Sequence, residues 1–152
     1  RVSQPLSEMG IRVVYARFGV ILAKHGGALA KMLPLFRWGL GGVLGDGKQF
    51  MSWISLNDCC RALQHLMDNA SLTGAFNIVS PNPVTNREFT KTLGSDMHRM
   101  TFLPVPKFAL RLGLGEMADA LLLTSCRVQP KRLIESGFTF EQTTLDQALQ
   151  VA

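Results

Sequence analysis

The chain has 152 residues, 47% hydrophobic and 18% charged, with a net charge of +5. This excludes a disordered chain and supplies enough apolar side chains for one domain with a real core. Its longest apolar runs, such as Ala118 to Leu123, are broken by Asp119 and too short to cross a bilayer, and its basic residues are scattered, with no run longer than Lys131-Arg132.

Arg1 to Pro5 do not open a signal peptide, because no apolar stretch follows the basic start, and there is no initiator Met. The simplest expectation is a chain cut from something longer. Gln4 to Met9 reads as the end of a helix, stopped by Gly10. Ile11 to Arg17 is β-branched and aromatic and reads as a buried strand. Phe18 to Leu22 then leaves that strand into a loop holding His25-Gly26-Gly27. From Ala28, apolar residues at Leu29, Met32, Leu33 and Phe36 have helical spacing, with Pro34 predicting a kink or a later start.

A glycine-dense stretch, Gly39 to Gly47, follows. Closely spaced glycines allow close backbone approach or repeated positive φ, so the stretch reads as a ligand-side lid or a plain connection. Gln49 to Ile54 is predicted as a short strand. In it Ser52 and Trp53 are either a pocket wall or a strand alternating into the core, and Gln49 is a candidate polar group of the pocket. Ser55 and Asp58 form a capping signature for a helix to about Asn69, with Ala62, Leu63, Leu66 and Met67 as its core stripe. Asp58 is most simply a cap and helix-dipole partner.

Ala75 to Val79 is a second buried strand, and Thr85 to Glu88 a capping box opening a helix that Gly94 weakens. Pro104-Val105-Pro106 is an extended link. Residues 107–114 and 116–123 read as two short helices, and Ser125 to Val128 as a short strand. Pro130 starts a helix ended by Gly137, with Phe138 as the apolar contact beyond it. Thr144 to Gln147 is a capping box for the last helix. No internal repeat, low-complexity tract or linker divides the chain, so residues 1–152 read as one unit.

Cys59, Cys60 and Cys126 make an odd count with no metal-binding spacing and read as reduced, cytosolic thiols. The adjacent pair is either reactive or inert packing. His25 either touches ligand or is an exposed loop histidine; His65 and His98 read as surface or core residues. No metal ligand set is expected. The net charge leaves a solvated surface, a phosphate-bearing ligand or, least, nucleic acid.

Several segments together resemble the C-terminal half of the extended short-chain dehydrogenase/reductases, the NAD-dependent epimerase/dehydratase group. They are Arg17-Phe18-Gly19-Val20-Ile21-Leu22, Gly26-Gly27-Ala28-Leu29, Gly41-Gly42, Gly45-Asp46-Gly47-x-Gln49 and Ser52-Trp53-Ile54. The resemblance is strongest to the subgroup described as nucleoside-diphosphate-sugar epimerases with a small C-terminal domain, and covers essentially the whole chain. It implies an α/β fold: the C-terminal part of a Rossmann-like doubly wound sheet, with a small, mostly helical subdomain on the substrate side. It also implies NAD or NADP as cofactor of the whole enzyme, none for this fragment alone, and a cytoplasmic small-molecule enzyme acting on a nucleotide-sugar.

The resemblance assigns Arg17 and Gly19 to the cofactor side, and Gly45, Gln49, Ser52, Trp53 and His25 to the substrate side. The family's glycine-rich cofactor loop and its Tyr-x-x-x-Lys pair do not occur here, so no catalytic residue is assigned. Tyr15 is the only tyrosine, and residue 19 is glycine. The wider family follows its Gly-Asp-Gly loop with Arg-Asp and an aromatic; here Met51, Ser52 and Trp53 stand there. Loss of that cation motivates a rival reading, a non-catalytic binding or regulatory protein retaining the fold.

Strands belonging to a sheet whose other members lie elsewhere leave an open apolar edge. The isolated 152-residue chain is expected to self-associate; sedimentation at high concentration checks this, and a strictly monomeric, folded species contradicts it.

Overall fold

The computed structural model describes residues 9–101 and 125–152. Residues 4–8 of the helix expected at Gln4 to Met9, the proline link and the helices at 107–114 and 116–123 fall outside the described residues. The rest is mixed α/β. In order it runs β1 (Val14–Phe18), β2 (Val20–Leu22), α1 (Gly27–Arg37), β3 (Phe50–Met51), β4 (Trp53–Ser55), α2 (Leu56–Asp68), β5 (Gly74–Ile78), β6 (Val84–Thr85), α3 (Asn86–Asp96), α4 (Lys131–Glu135) and α5 (Leu145–Val151).

β1 pairs parallel with β5, from Val14 opposite Gly74 to Phe18 opposite Ile78. At Gly19 the chain changes partner: β2 pairs parallel with β4, Val20 opposite Trp53. Backbone bonds stitch the change, from Gly19 N–H to the Ile78 carbonyl (3.3 Å), Val20 N–H to Ser52 (2.8 Å) and Ser80 N–H to Trp53 (2.6 Å). A Cβ at residue 19 would meet Val79 Cγ1 at 2.9 Å and the Ser52 carbonyl oxygen closer still. Glycine is required here by steric approach.

The expected loop at 18–22 is therefore the strand β2. The expected strand at 11–17 begins only at Val14, because Arg12 has another task. Its guanidinium donates to the carbonyls of Leu66 (2.9 Å), Met67 (3.3 Å) and Leu72 (3.2 Å), closing the C-terminal end of α2. Nor is β1 buried on both faces. Val14 and Ala16 pack on the core, while Tyr15 and Phe18 are 44% and 48% exposed.

α1 is continuous through Pro34, and Leu29, Met32, Leu33 and Phe36 are buried on it. Burying each stabilises by roughly 1.5–3 kcal/mol, which outweighs the ~3 kcal/mol that an interior proline costs. The strand expected over 49–54 is broken at Ser52 into β3, antiparallel to β6, and β4, parallel to β2.

α2 is capped as expected, with Asp58 N–H donating to Ser55 Oγ at 3.1 Å. Its stripe is narrower than expected: Ala62 and Leu66 are buried, but Met67 is 61% exposed. α3 runs past Gly94, because a Cβ there would strike Thr101 Cγ2 and sit 3.0 Å from Arg99 O; the glycine admits a crossing loop and does not stop the helix. Residues 125–128 form no strand. They lie beside β3 through Cys126 N–H to the Phe50 carbonyl (2.9 Å).

α4 ends in a Schellman motif: Phe138 N–H reaches Leu133 O (3.2 Å), Gly137 N–H reaches Ile134 O (2.9 Å), and Gly137 has φ +88°. Two clusters form the core, one joining α1, β3, β4, α3 and α5, the other joining β4, α2, β5 and α4.

Gly19→Ala is expected to destabilise by about 1–3 kcal/mol, the usual range for overpacking, seen as a lower urea midpoint. An unchanged midpoint would remove the close approach to Ser52 as the reason for glycine.

Candidate functional site

The glycine stretch is clamped at its base by the first turn of α3. Leu44 N–H donates to Asn86 Oδ1 (2.8 Å), and Arg87 Nη2 donates to Asp46 O (2.8 Å). Arg87 N–H reaches Gly47 O (3.1 Å), and Asn86 N–H reaches Gln49 O (2.9 Å). Gly47 lies against the Arg87 Cβ and has φ +70°, so a side chain there is excluded twice. The stretch is exposed at its start, Gly39-Leu40, and at its tip, Gly45-Asp46, with Gly45 at φ +58° and open space beside it. Asn86 is fully buried, and its Nδ2 has no protein partner.

The turn that supplies this clamp is itself fixed by a capping box. Thr85 N–H and hydroxyl both donate to Glu88 Oε2, at 2.7 and 2.8 Å. These bonds, the backbone one foremost, hold the Glu88 carboxyl below its ordinary range.

Several of the residues expected at the substrate side are engaged in hydrogen bonds within the protein. Gln49 Nε2 donates to Leu44 O (3.0 Å), bracing the loop from within. Ser52 is 4% exposed; its Oγ donates to Cys126 O (2.8 Å) and accepts from Val128 N–H (2.9 Å). Trp53 is fully buried, its indole N–H on Asn82 O at 3.0 Å. His25 is exposed in the turn before α1. Of the pair expected at the cofactor side, Arg17 is exposed on β1, and Gly19 faces the Ser52 carbonyl. That close approach is to backbone. Met51 is 3% exposed, in the core.

Among the described residues no three His, Cys, Asp or Glu side chains converge. His65 Nε2 lies 3.0 Å from Ser136 Oγ, and its ring meets Phe138 edge-on. Burial, then the neighbouring Cys60, pushes the Cys59 thiol up, which favours the unreactive protonated form.

Two features were missed by sequence reasoning. Asp58 is more than a helix-dipole partner: it is fully buried and accepts from Arg61 Nη1 (2.6 Å), Glu141 N–H (3.0 Å) and Gln142 N–H (2.9 Å). Its only sequence signal is its place in the capping signature. The second is a cavity of about 340 Å³ lined by Ala75, Asn77, Arg127, Gln129, Lys131 and Arg132. Arg132 is fixed there by donating to Ala75 O (2.7 Å) and Thr73 O (2.8 Å), with its guanidinium over Phe76. Arg127 lies over Phe50 at 4.9 Å. The adjacent Lys131-Arg132 is the only hint of it in the sequence. Another cavity, of about 350 Å³, mixes both charge signs around Arg61, His65 and Asp68.

A family model described as a domain of unknown function (DUF1731) matches residues 105–152. An epimerase family protein of Mycobacterium leprae is 45% identical over 148 residues, 97% of this chain and 48% of that protein. The chain thus spans about half the length of the curated relatives it matches. The crystal structure of human epimerase family protein SDR39U1 with NADPH superposes with a TM-score of 0.84 at 35% identity, covering 93% of this chain and 48% of that one. A nucleoside-diphosphate sugar epimerase of Corynebacterium glutamicum gives 0.69 at 31% identity, covering 95% and 28%.

Asn86→Ala removes the acceptor for the buried Leu44 amide. It is expected to cost about 1–3 kcal/mol and to speed hydrogen exchange at Leu44; unchanged protection there would refute the clamp. Because the folded Glu88 pKa is depressed, the box contributes stability above the unfolded carboxyl range and loses it as pH falls through the folded value. Denaturation of wild type and Glu88→Ala should therefore differ at neutral pH and converge in acid. A gap that persists in acid contradicts this.

Proposed function

Because this chain belongs to the epimerase family, as its C-terminal part, we propose that it forms the substrate-side portion of a cytoplasmic, NAD(P)-dependent nucleoside-diphosphate-sugar epimerase or reductase. In the whole enzyme hydride passes between a substrate carbon and nicotinamide. The dinucleotide and the acid/base pair are held outside these 152 residues, and the fragment is inactive alone. The observation that carries the reading is the match, along 93% of the chain, to a relative solved with NADPH. The clamped glycine loop supports a substrate-side role, since its base is hydrogen-bonded to α3 and its tip, Gly45-Asp46, is exposed. Gln49 braces that loop through the Leu44 carbonyl, and Ser52, Trp53 and His25 are assigned to the substrate side by the family resemblance.

The second reading is a non-catalytic binding or regulatory protein retaining the fold. It draws on Met51, which occupies the wider family's arginine position with its side chain in the core. Both readings are tested on the native protein that carries this sequence, by titration with NADPH and NADH and then turnover of a panel of nucleoside-diphosphate sugars. The enzyme reading expects nicotinamide binding and turnover. It also expects Gly45→Pro, which cannot adopt φ +58°, to lower turnover by about tenfold or more (≥ about 1.4 kcal/mol) with cofactor affinity unchanged. Full turnover in that variant would remove the loop from the substrate side. Cofactor binding without turnover across the panel would favour the second reading.

A further inference from the structure

The cavity beside β5 has a chemistry that neither the glycine loop nor the family match accounts for. Among the described residues its charged lining is Arg127, Lys131 and Arg132, with no carboxylate. The remaining polar side chains are the amides of Asn77 and Gln129. Among the described residues the ion pairs are those of Arg61 with Asp58 and Glu141, so neither Arg127 nor Lys131 has an acidic partner. Three cations around one concavity repel one another, an arrangement that a bound anion relieves.

The cations differ in how they are held. Arg132 is locked by the carbonyls of Ala75 and Thr73 and by the Phe76 ring, so it contributes fixed charge in the cavity wall. Arg127 is supported on one face by Phe50 and, among the described residues, its guanidinium edge makes no hydrogen bond. That leaves its planar donors available for two oxygens of one anion. Lys131 adds a mobile point charge. Asn77 Nδ2 is drawn to Gln129 O (3.3 Å), which ties the segment bearing these cations to β5. In the β1–β5 register Arg17 stands opposite Asn77, so a fourth cation shares this face of the sheet.

We propose that this cavity is a binding site for the phosphate groups of a small molecule, with Arg127 and Lys131 as the ligands and Arg132 as a fixed supporting charge. The volume, about 340 Å³, is at the lower end of the range for small-molecule pockets and accommodates a diphosphate. The anion site stands on this geometry alone. Only the source of the phosphate, a nucleoside diphosphate or a free inorganic anion, rests on the nucleotide-sugar reading above.

The test is calorimetric titration of the native protein with inorganic pyrophosphate, repeated with Arg127→Gln, Lys131→Gln and, as a control outside the cavity lining, the exposed Lys91→Gln. Pyrophosphate is expected to bind, more weakly as salt rises, and each cavity variant to lose about tenfold in affinity. Lys91→Gln should bind as wild type. No binding at millimolar pyrophosphate, or equal affinity in wild type and both cavity variants, overturns the proposal. Far-ultraviolet circular dichroism and thermal midpoints, expected to be unchanged in both variants, separate lost binding from lost fold. A parallel titration with uridine and adenosine diphosphates separates the sources. Binding tighter than pyrophosphate that still depends on Arg127 supports the site and identifies a nucleotide. Equal, Arg127-dependent affinity supports the site and assigns it to the anion alone, while nucleotide binding indifferent to Arg127 counts against the site.

Discussion

The backbone of Ser52 is where the described fold is joined. Its carbonyl accepts from Val20 N–H and closes over Gly19, which fixes the point at which the β1–β2 chain changes partner. It stands between β3 and β4, the one antiparallel to β6 and the other parallel to β2. Its hydroxyl donates to Cys126 O and accepts from Val128 N–H, so one side chain makes two of the bonds that hold the irregular 125–129 segment against the sheet. A buried hydroxyl with both roles satisfied is stabilising; one with a role missing costs about 1–3 kcal/mol. Serine is suited to this place because it is small enough for the crowded junction and can donate and accept at once.

Asp58 does for the C-terminal segment what Ser52 does for the sheet. A carboxylate with no exposure is tolerated only when charge and hydrogen bonds replace its water. Here Arg61 supplies the charge, and the N–H groups of Glu141 and Gln142 supply the rest. Arg61 also reaches Glu141 at 3.1 Å, and Ser55 Oγ donates to Gln142. The residues that open α2 thereby locate the turn that leads into α5. Since α5 packs Leu145, Ala148 and Leu149 into the same cluster as α1 and α3, the placement of one polar group governs an apolar interface.

Local chemistry is what the sequence made readable. Ser55, Thr85 and Thr144 cap their helices, and Gly137 ends α4 with Phe138 beyond it, because caps and turns are decided within four or five residues. The α/β class was readable for the same reason, and the order of motifs carried the family. What could not be read was set between distant segments. Phe18 to Leu22 looks like a strand exit because Gly19 breaks the pattern, yet the glycine is there to admit Ser52, more than thirty residues on. Arg12 looks like a strand residue, but it serves the carbonyls at the end of α2. Trp53 and Gln49 carry the residue types of a pocket wall, but their hydrogen bonds to Asn82 O and Leu44 O are set by segments the local pattern does not reveal.

Position 51 and the basic cavity are two consequences of one strand. Successive side chains of a strand point to opposite faces, so in β3 Met51 enters the core while Phe50 faces the Arg127 guanidinium. A cation at 51 would be carried into an apolar cluster with Leu22, Met32 and Trp53, where its desolvation has no partner to offset it. One residue earlier, the aromatic face can hold a cation from outside at a gain of about 0.5–1 kcal/mol for an exposed pair. The positive charge that a phosphate needs is thus excluded from the core side of β3 and available on the outer side. There Phe50 orients Arg127, and Ser52 fixes the segment that bears it.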